Sequence, residues 1–252
     1  KLLPWPETCD SGSEPGFGGG ENHKNSFSQI FKKVLCKQCL ADVMPVESPV
    51  CSCCGQPFDA GPDKNHECGR CIKTKPYFTK ARSALLYSGS VLKLIHCYKY
   101  KNRTFLARPL GLLLYNEFVS QFNPASIDAV IPIPLHHRKL RSRGYNQALL
   151  IIAQWPKIAY RIGHSRNWKI IKDDTTILRK KNTSSQTGLN RRQRVKNISG
   201  AFMVRRPELV KGLRLLIVDD VYTTGSTVNE CARVLRRAGA ADVNVLTLAR
   251  TP

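Results

Sequence analysis

Two neighbouring acids, Asp219 and Asp220, stand directly before Val221-Tyr222-Thr223-Thr224-Gly225-Ser226-Thr227. The five residues from Thr223 to Thr227 form a short turn rich in hydroxyls and backbone donors. Such a turn at a helix start is a seat for a phosphate, because unpaired N–H groups and the helix dipole both favour an anion there. Two carboxylates beside that seat would repel a bare anion but can accept hydrogen bonds from the vicinal hydroxyls of a sugar. The expected ligand is therefore a ribose phosphate. A second chemistry lies upstream in three cysteine pairs, Cys36-x2-Cys39, Cys51-x2-Cys54 and Cys68-x2-Cys71. Thiolates two residues apart on a tight turn converge on one tetrahedral zinc ion. Cys51, Cys54, Cys68 and Cys71 are the first choice, since Gly55 follows one pair and Gly69 lies inside another. Cys36 and Cys39 form a second, weaker metal pair, with Cys9 and His23 as distant candidate partners, and Cys53 is not expected to be a ligand. Four thiolates leave no open coordination position, so the zinc is structural. Disulfides are disfavoured because nothing marks the chain as secreted.

The stretch Val218 to Thr227 resembles the phosphoribosyl pyrophosphate (PRPP) motif of the type I phosphoribosyltransferases. The resemblance implies that Asp219 and Asp220 hold the ribose hydroxyls and steady positive charge on the sugar, and that Thr223, Thr224, Gly225, Ser226 and Thr227 hold the 5-phosphate. It also implies magnesium bound together with PRPP. Rival phosphate motifs do not fit: there is no Gly-x-x-x-x-Gly-Lys, and no Gly-x-Gly-x-x-Gly after a strand.

Two further stretches carry cations that suit a pyrophosphate. One follows a strand at Ile127 to Pro132 and contains Arg143, Gly144, Asn146 and Gln147; at the carboxyl end of a strand it should face the acidic pair. His136 and His137 within it have no partner carboxylate or cysteine pattern and read as part of a basic, solvated loop. The other runs from Arg179 through Thr183 and Gln186 to Arg191, Arg192, Arg194 and Asn197. Its polarity argues against a core element; it reads as a flap over a charged ligand or as an exposed charged helix. The net charge is +22, from 40 Lys and Arg against 18 Asp and Glu. Residues 1–80 contribute +1 of this and residues 81–252 contribute +21. So large a surplus points to a larger polyanion such as nucleic acid, with Arg191, Arg192 and Arg194 as candidate contacts and Tyr98, Tyr100 and Tyr145 as candidate stacking residues; a solvated basic surface with no partner is the competing reading.

The elements that must position these groups are those of an α/β protein. Leu215 to Val218 reads as a strand buried on both faces, followed by a helix from about Thr227 to Ala238 with Val228, Cys231, Val234 and Leu235 on one stripe. Further strands are expected at Ala81 to Tyr87, Trp168 to Ile171, Ala201 to Val204 and Val243 to Leu248. Helices are expected around Val91 to Tyr98, from Thr104 to Phe122, and from Asn146 to about Gln154, where Pro156 interrupts the pattern. Residues 1–30 read as a loose leader, 31–78 as a zinc ribbon and 79–252 as the main domain. No apolar stretch is long enough to span a bilayer, and the first residues lack the apolar core of a signal peptide, so a cytoplasmic location is expected.

Taken together, Pro132-Ile133-Pro134-Leu135, Arg143-Gly144-Tyr145-Asn146-Gln147, Thr183-x-x-Gln186, Arg194-x-x-Asn197-x-x-Gly200-Ala201-Phe202 and the Asp219 motif occur in the order found in the ComF/GntX family, which also carries an N-terminal cysteine ribbon. The likeness covers roughly residues 36 to 250. It implies a Rossmann-like phosphoribosyltransferase sheet flanked by helices and preceded by a zinc ribbon. For ComFC-like members it implies a role in natural transformation: handling single-stranded DNA at the inner face of the membrane with a helicase-like partner. It leaves open whether PRPP is turned over, with pyrophosphate release to a nitrogen acceptor, or only bound.

Overall fold

The computed structural model describes residues 23–58, 64–164, 168–171, 176–183 and 190–252, with the backbone alone for 23–26, 191 and 192. Seven strands are described: β1 (Ala81–Leu86), β2 (Ala129–Pro132), β3 (Lys169–Ile170), β4 (Ile177–Arg179), β5 (Phe202–Val204), β6 (Arg214–Tyr222) and β7 (Asp242–Arg250). Five of them form one parallel sheet in the order β1-β7-β6-β2-β3, so β6 is the central strand. β4 and β5 pair separately as an antiparallel ribbon, which the sequence reading did not anticipate.

The helices are α1 (His23–Phe31), α2 (Lys37–Ala41), α3 (Gly69–Lys73), α4 (Gly89–Tyr100), α5 (Ala107–Gln121), α6 (His137–Arg143), α7 (Gln147–Ile152), α8 (Trp155–Arg161), α9 (Arg191–Ile198) and α10 (Ser226–Arg237). Because side chains alternate along a strand, β6 feeds two cores. Leu216 and Val218 enter a layer with Leu94, Leu110, Leu114, Ile151 and Trp155, whereas Leu215 and Ile217 enter a layer with Val228, Cys231, Leu235, Phe78 and the cysteine knuckles. Burial on both faces explains the unbroken apolar run in the sequence.

Several expectations change. The apolar run marks only the centre of β6, which continues through both acids to Tyr222. α1 begins inside the stretch read as leader, and its Phe27, Ile30 and Phe31 are buried against the first layer. Pro156 does not break a helix; it occupies the first turn of α8, where its missing N–H leaves no intrahelical bond unmade. Trp155 and Trp168 are core residues stacked or edge-on with Phe118, and the Trp155 indole donates to the Gly111 carbonyl at 3.1 Å.

Candidate ribose-phosphate site and four-cysteine centre

The helices after β2 and after β6 lie on opposite faces of the sheet: α7 packs in the first layer and α10 in the second. In open α/β sheets that reversal opens a crevice beyond the carboxyl ends of the strands, here between β2 and β6. The two strand ends are tied by the Ile133 N–H donating to the Val218 carbonyl at 2.9 Å. Asp219 and Asp220 sit at that end of the central strand, and the bend at 223–225 leads directly into α10.

The acids face different surroundings. Asp220 is buried and pairs with Lys99 of α4, Nζ to Oδ1 at 2.7 Å. Burial alone would lower the lysine, but the Asp220 charge and hydrogen bond outweigh it, and the net displacement is upward. Asp219 accepts from the Asp220 N–H at 2.9 Å. Desolvation first, and then the adjacent Asp220 charge, push Asp219 up to about 7, with Lys99 and Arg179 opposing the rise. Lys99 escaped the sequence reading. It lies in a Tyr-Lys-Tyr-Lys run with nothing to single it out, and only the packing of α4 against the sheet brings it to an acid 121 positions later.

The bend is shaped for close approach. Gly225 has φ +75° and caps α10, and the Tyr222 ring occupies the space a side chain there would need. The Thr224 and Ser226 hydroxyls are hydrogen-bonded at 2.7 Å, and Thr251 Oγ1 donates to the Thr223 carbonyl at 3.2 Å.

The cation stretches resolve differently from expectation. Arg179 is not part of a solvated flap: it ends β4, is buried, and stacks on Phe202 at 5.5 Å while its Nη2 donates to Thr183 Oγ1 at 2.5 Å. Its charge acts on Asp219, so the β4–β5 ribbon brings a cation to the acidic pair from the α10 side. Gln186 lies outside the described residues. Arg191, Arg192, Arg194 and Asn197 are on α9, whose start is fixed by a reciprocal cap: the Gln193 N–H donates to Asn190 Oδ1 at 3.0 Å and the Asn190 N–H to Gln193 Oε1 at 2.8 Å. The Asn-x-x-Gln spacing was a readable signal for that helix.

The basic stretch after β2 is a helix, α6, rather than a loop. His136 is buried rather than solvated and caps it, its Nδ1 accepting the Arg138 N–H at 3.3 Å; among the described residues it joins no cluster of metal-binding side chains. Gly144 ends α6 at φ +81°. Arg143 stacks on Tyr100 at 5.0 Å. Asn146 is spent on the fold, donating to the Ile133 carbonyl at 3.0 Å and accepting the Leu149 N–H at 3.2 Å. Gln147 is buried, its carbonyl receives the Tyr98 hydroxyl at 2.9 Å, and its side-chain amide nitrogen has no partner among the described residues. Tyr98 is fully buried and the Tyr145 hydroxyl donates to the Tyr98 carbonyl, so of the three tyrosines considered for stacking only Tyr100 is open, at 62% exposure.

The sulfurs of Cys51, Cys54, Cys68 and Cys71 all lie within 4.8 Å of one another, with Cys54 and Cys68 at 3.8 Å. Zn–S bonds of about 2.3 Å require tetrahedral edges of about 3.8 Å, so the set fits zinc. Burial opposes ionisation of Cys51, but the N–H groups of Cys68, Cys54 and Cys53 bring it down to about 6. Arg70 Nη2 lies 3.3 Å from Cys54 Sγ. Among the described residues Cys36 and Cys39 join no such group.

The fold and the acid-plus-bend site define a protein with a phosphoribosyltransferase domain, and residues 156–252 match the phosphoribosyl transferase domain model. Along most of its length the chain is 34% identical to DNA utilization protein YhgH of Salmonella typhi over 223 residues, 86% of this chain and 90% of that one. It is 32% identical to Competence protein F of Haemophilus influenzae over 227 residues, 88% and 92% of the two chains. It is 24% identical to Competence protein ComFC of Streptococcus pneumoniae over 237 residues, 88% and 97%. The chain belongs to the ComF family. Among solved structures, that of the allosteric regulatory enzyme of purine biosynthesis aligns at 19% identity and TM-score 0.30, over 55% of this chain and 24% of that one. No helix among the described residues is long and apolar enough to cross a membrane.

Proposed function

We propose that the protein binds PRPP, or a closely related ribose phosphate, together with magnesium, and that it handles single-stranded DNA during DNA uptake. The observation that carries the first part is the placement of two carboxylates at the end of the central strand, immediately before a hydroxyl-rich bend that opens a helix. Asp219 and Asp220 hold the ribose hydroxyls, and Thr223 to Thr227 hold the 5-phosphate on the N-terminus of α10. Arg143, Gly144, Arg179, Thr183, Arg194 and Asn197 are assigned to the pyrophosphate side. Gln186 and Gln147 keep their places there from the sequence motif alone, and Asn146 fixes the backbone beneath them. Magnesium would be held by ligand oxygens and the acidic pair, and would supply charge neutralisation for the pyrophosphate.

Descriptions of the relatives as DNA utilization and competence proteins support the second part. So does the +21 excess of residues 81–252, next to an exposed Tyr100 flanked by Arg143 and His96, whose ring lies 4.8 Å away. A base stacked on Tyr100, with phosphates on the cations of α6 and on Arg191, Arg192 and Arg194 of α9, gives binding with little sequence preference. A helicase-like partner and a place at the inner face of the membrane accompany this reading.

The test is binding to a fluorescent oligonucleotide across a salt series. A steep salt slope is expected, with Tyr100→Ala weakening binding about tenfold, in line with the 1–3 kcal/mol typical of one stacked base. A flat salt response, or an Ala variant equal to wild type, contradicts the DNA assignment. Pyrophosphate release across a panel of bases and amines separates an active transferase, the second reading, from a binder: release with any acceptor establishes turnover, and silence favours binding alone.

A further inference from the structure

The four-cysteine centre and the phosphate bend are joined by a short chain of buried contacts. Arg250, the last residue of β7, is 1% exposed. Its Nη1 donates to the Cys54 carbonyl at 2.8 Å and its Nη2 to Gln56 Oε1, so both arms of the guanidinium are spent on the knuckle. The same guanidinium stacks on the Tyr222 ring at 5.2 Å. Tyr222 is in turn the residue whose ring closes against Gly225, the turning point of the bend. A change in alternation puts it there: Asp220 faces α4 and Val221 packs in the first layer, but Tyr222 enters the second layer with the cysteines and meets Phe78 edge-on at 6.4 Å. Beyond Arg250, Thr251 fixes the bend from the other side, its N–H donating to the Tyr222 carbonyl at 3.0 Å and its hydroxyl to the Thr223 carbonyl. The knuckle also holds the sheet edge, through the Ala81 N–H donating to the Cys53 carbonyl at 2.7 Å and Arg82 Nη1 to the Ser52 carbonyl at 3.2 Å.

We infer that Arg250 and Tyr222 are positioning residues that make the metal centre part of the phosphate seat, so that the geometry of Thr223 to Ser226 depends on whether the four cysteines hold their ion. A bound ion fixes the Cys51–Cys54 turn and with it the Cys54 carbonyl. That carbonyl orients Arg250, and Arg250 holds Tyr222 beneath Gly225. When the ion leaves, the turn loosens, Arg250 loses its acceptor, and the bend loses its support. Linkage makes the effect reciprocal: a phosphate ligand that orders the bend slows loss of the ion.

The inference builds on the proposed phosphate role of the bend, but its test needs no ligand. Backbone hydrogen exchange is followed in the peptide spanning Tyr222 to Val228, with the peptide spanning Leu110 to Phe118 of α5 as an internal reference, in zinc-loaded protein and after removal of zinc by a chelator. Exchange in the bend should rise at least tenfold on zinc removal, with the α5 peptide unchanged. Arg250→Met, retaining its zinc by metal analysis, should raise exchange in the bend by a similar factor, and Arg250→Lys, which restores one donor to the Cys54 carbonyl, should recover part of the protection. Bend exchange in zinc-loaded Arg250→Met equal to wild type overturns the inference, as does a zinc-free protein whose bend and α5 peptides both stay protected. Should zinc removal unfold the whole chain, the zinc-loaded Arg250 variants decide. Failure of PRPP to bind the zinc-loaded wild type counts against the proposed function and leaves the exchange result to judge the coupling by itself.

Discussion

Asp219 and Asp220 are adjacent in sequence yet sit in different surroundings, and of the two only Asp220 has an ion pair among the described residues. Lys99 neutralises Asp220, whereas desolvation and the neighbouring charge raise Asp219 to about 7. The native protein therefore holds a proton on Asp219 that the unfolded chain, with an ordinary carboxyl near 4, releases. The stability this proton contributes is full below about pH 4, falls as pH rises from about 4 to about 7, and is gone above that. Ribose hydroxyls need the ionised acceptor, so affinity for PRPP with magnesium should increase with pH across about 6 to 8, approaching tenfold per unit on the acid side. In Asp219→Asn the Asp219 component of that slope should vanish; an identical slope in the variant would contradict the assignment. Lys99→Met leaves Asp220 buried without a counter-charge and should cost about 2–4 kcal/mol in urea unfolding, with Lys99→Met/Asp220→Asn recovering a large part. A single variant as stable as wild type would show that the pair does not hold α4 to β6. The acids were legible because they sit next to a hydroxyl-rich turn; Lys99 was not, since no spacing rule links it to a strand so far away in the chain.

At the level of elements, helix and strand positions followed from periodicity wherever a face is buried. The apolar stripes of α4, α5 and α10 and the apolar run of β6 gave those elements, with ends shifted by a few residues where polar side chains continue the backbone geometry. Failures came where polarity was taken for absence of structure. α6 is a helix of mostly basic residues, and Arg179 is a buried strand residue that donates to Thr183 and stacks on the Phe202 ring. Gly111 shows a constraint that periodicity cannot reveal: a side chain there would meet the Ile151 carbonyl at 2.7 Å, so α5 and α7 pack at backbone contact. Gly111→Ala should therefore destabilise by about 1–3 kcal/mol despite the better helix propensity of alanine, as read by chemical unfolding. A stabilised variant would mean that the two helices can separate at no cost.

For the molecule as a whole, the ribbon expected ahead of the sheet is built into the second core, with Cys51, Cys54 and Cys71 buried beside Phe78 and Tyr222. Spacing picked out the four cysteines that converge, but it could not reveal that Arg82 and Arg250 of the sheet would reach their carbonyls. Metal analysis should find zinc that is lost in Cys54→Ser and retained in Cys36→Ser; retention in the first variant would refute the ligand set. The most direct test of the central claim is calorimetric titration of the zinc-loaded protein with PRPP in magnesium, alongside Asp219→Asn/Asp220→Asn. Saturable binding by the wild type that requires magnesium and disappears in the double variant is the predicted result; equal heats from both proteins would contradict it.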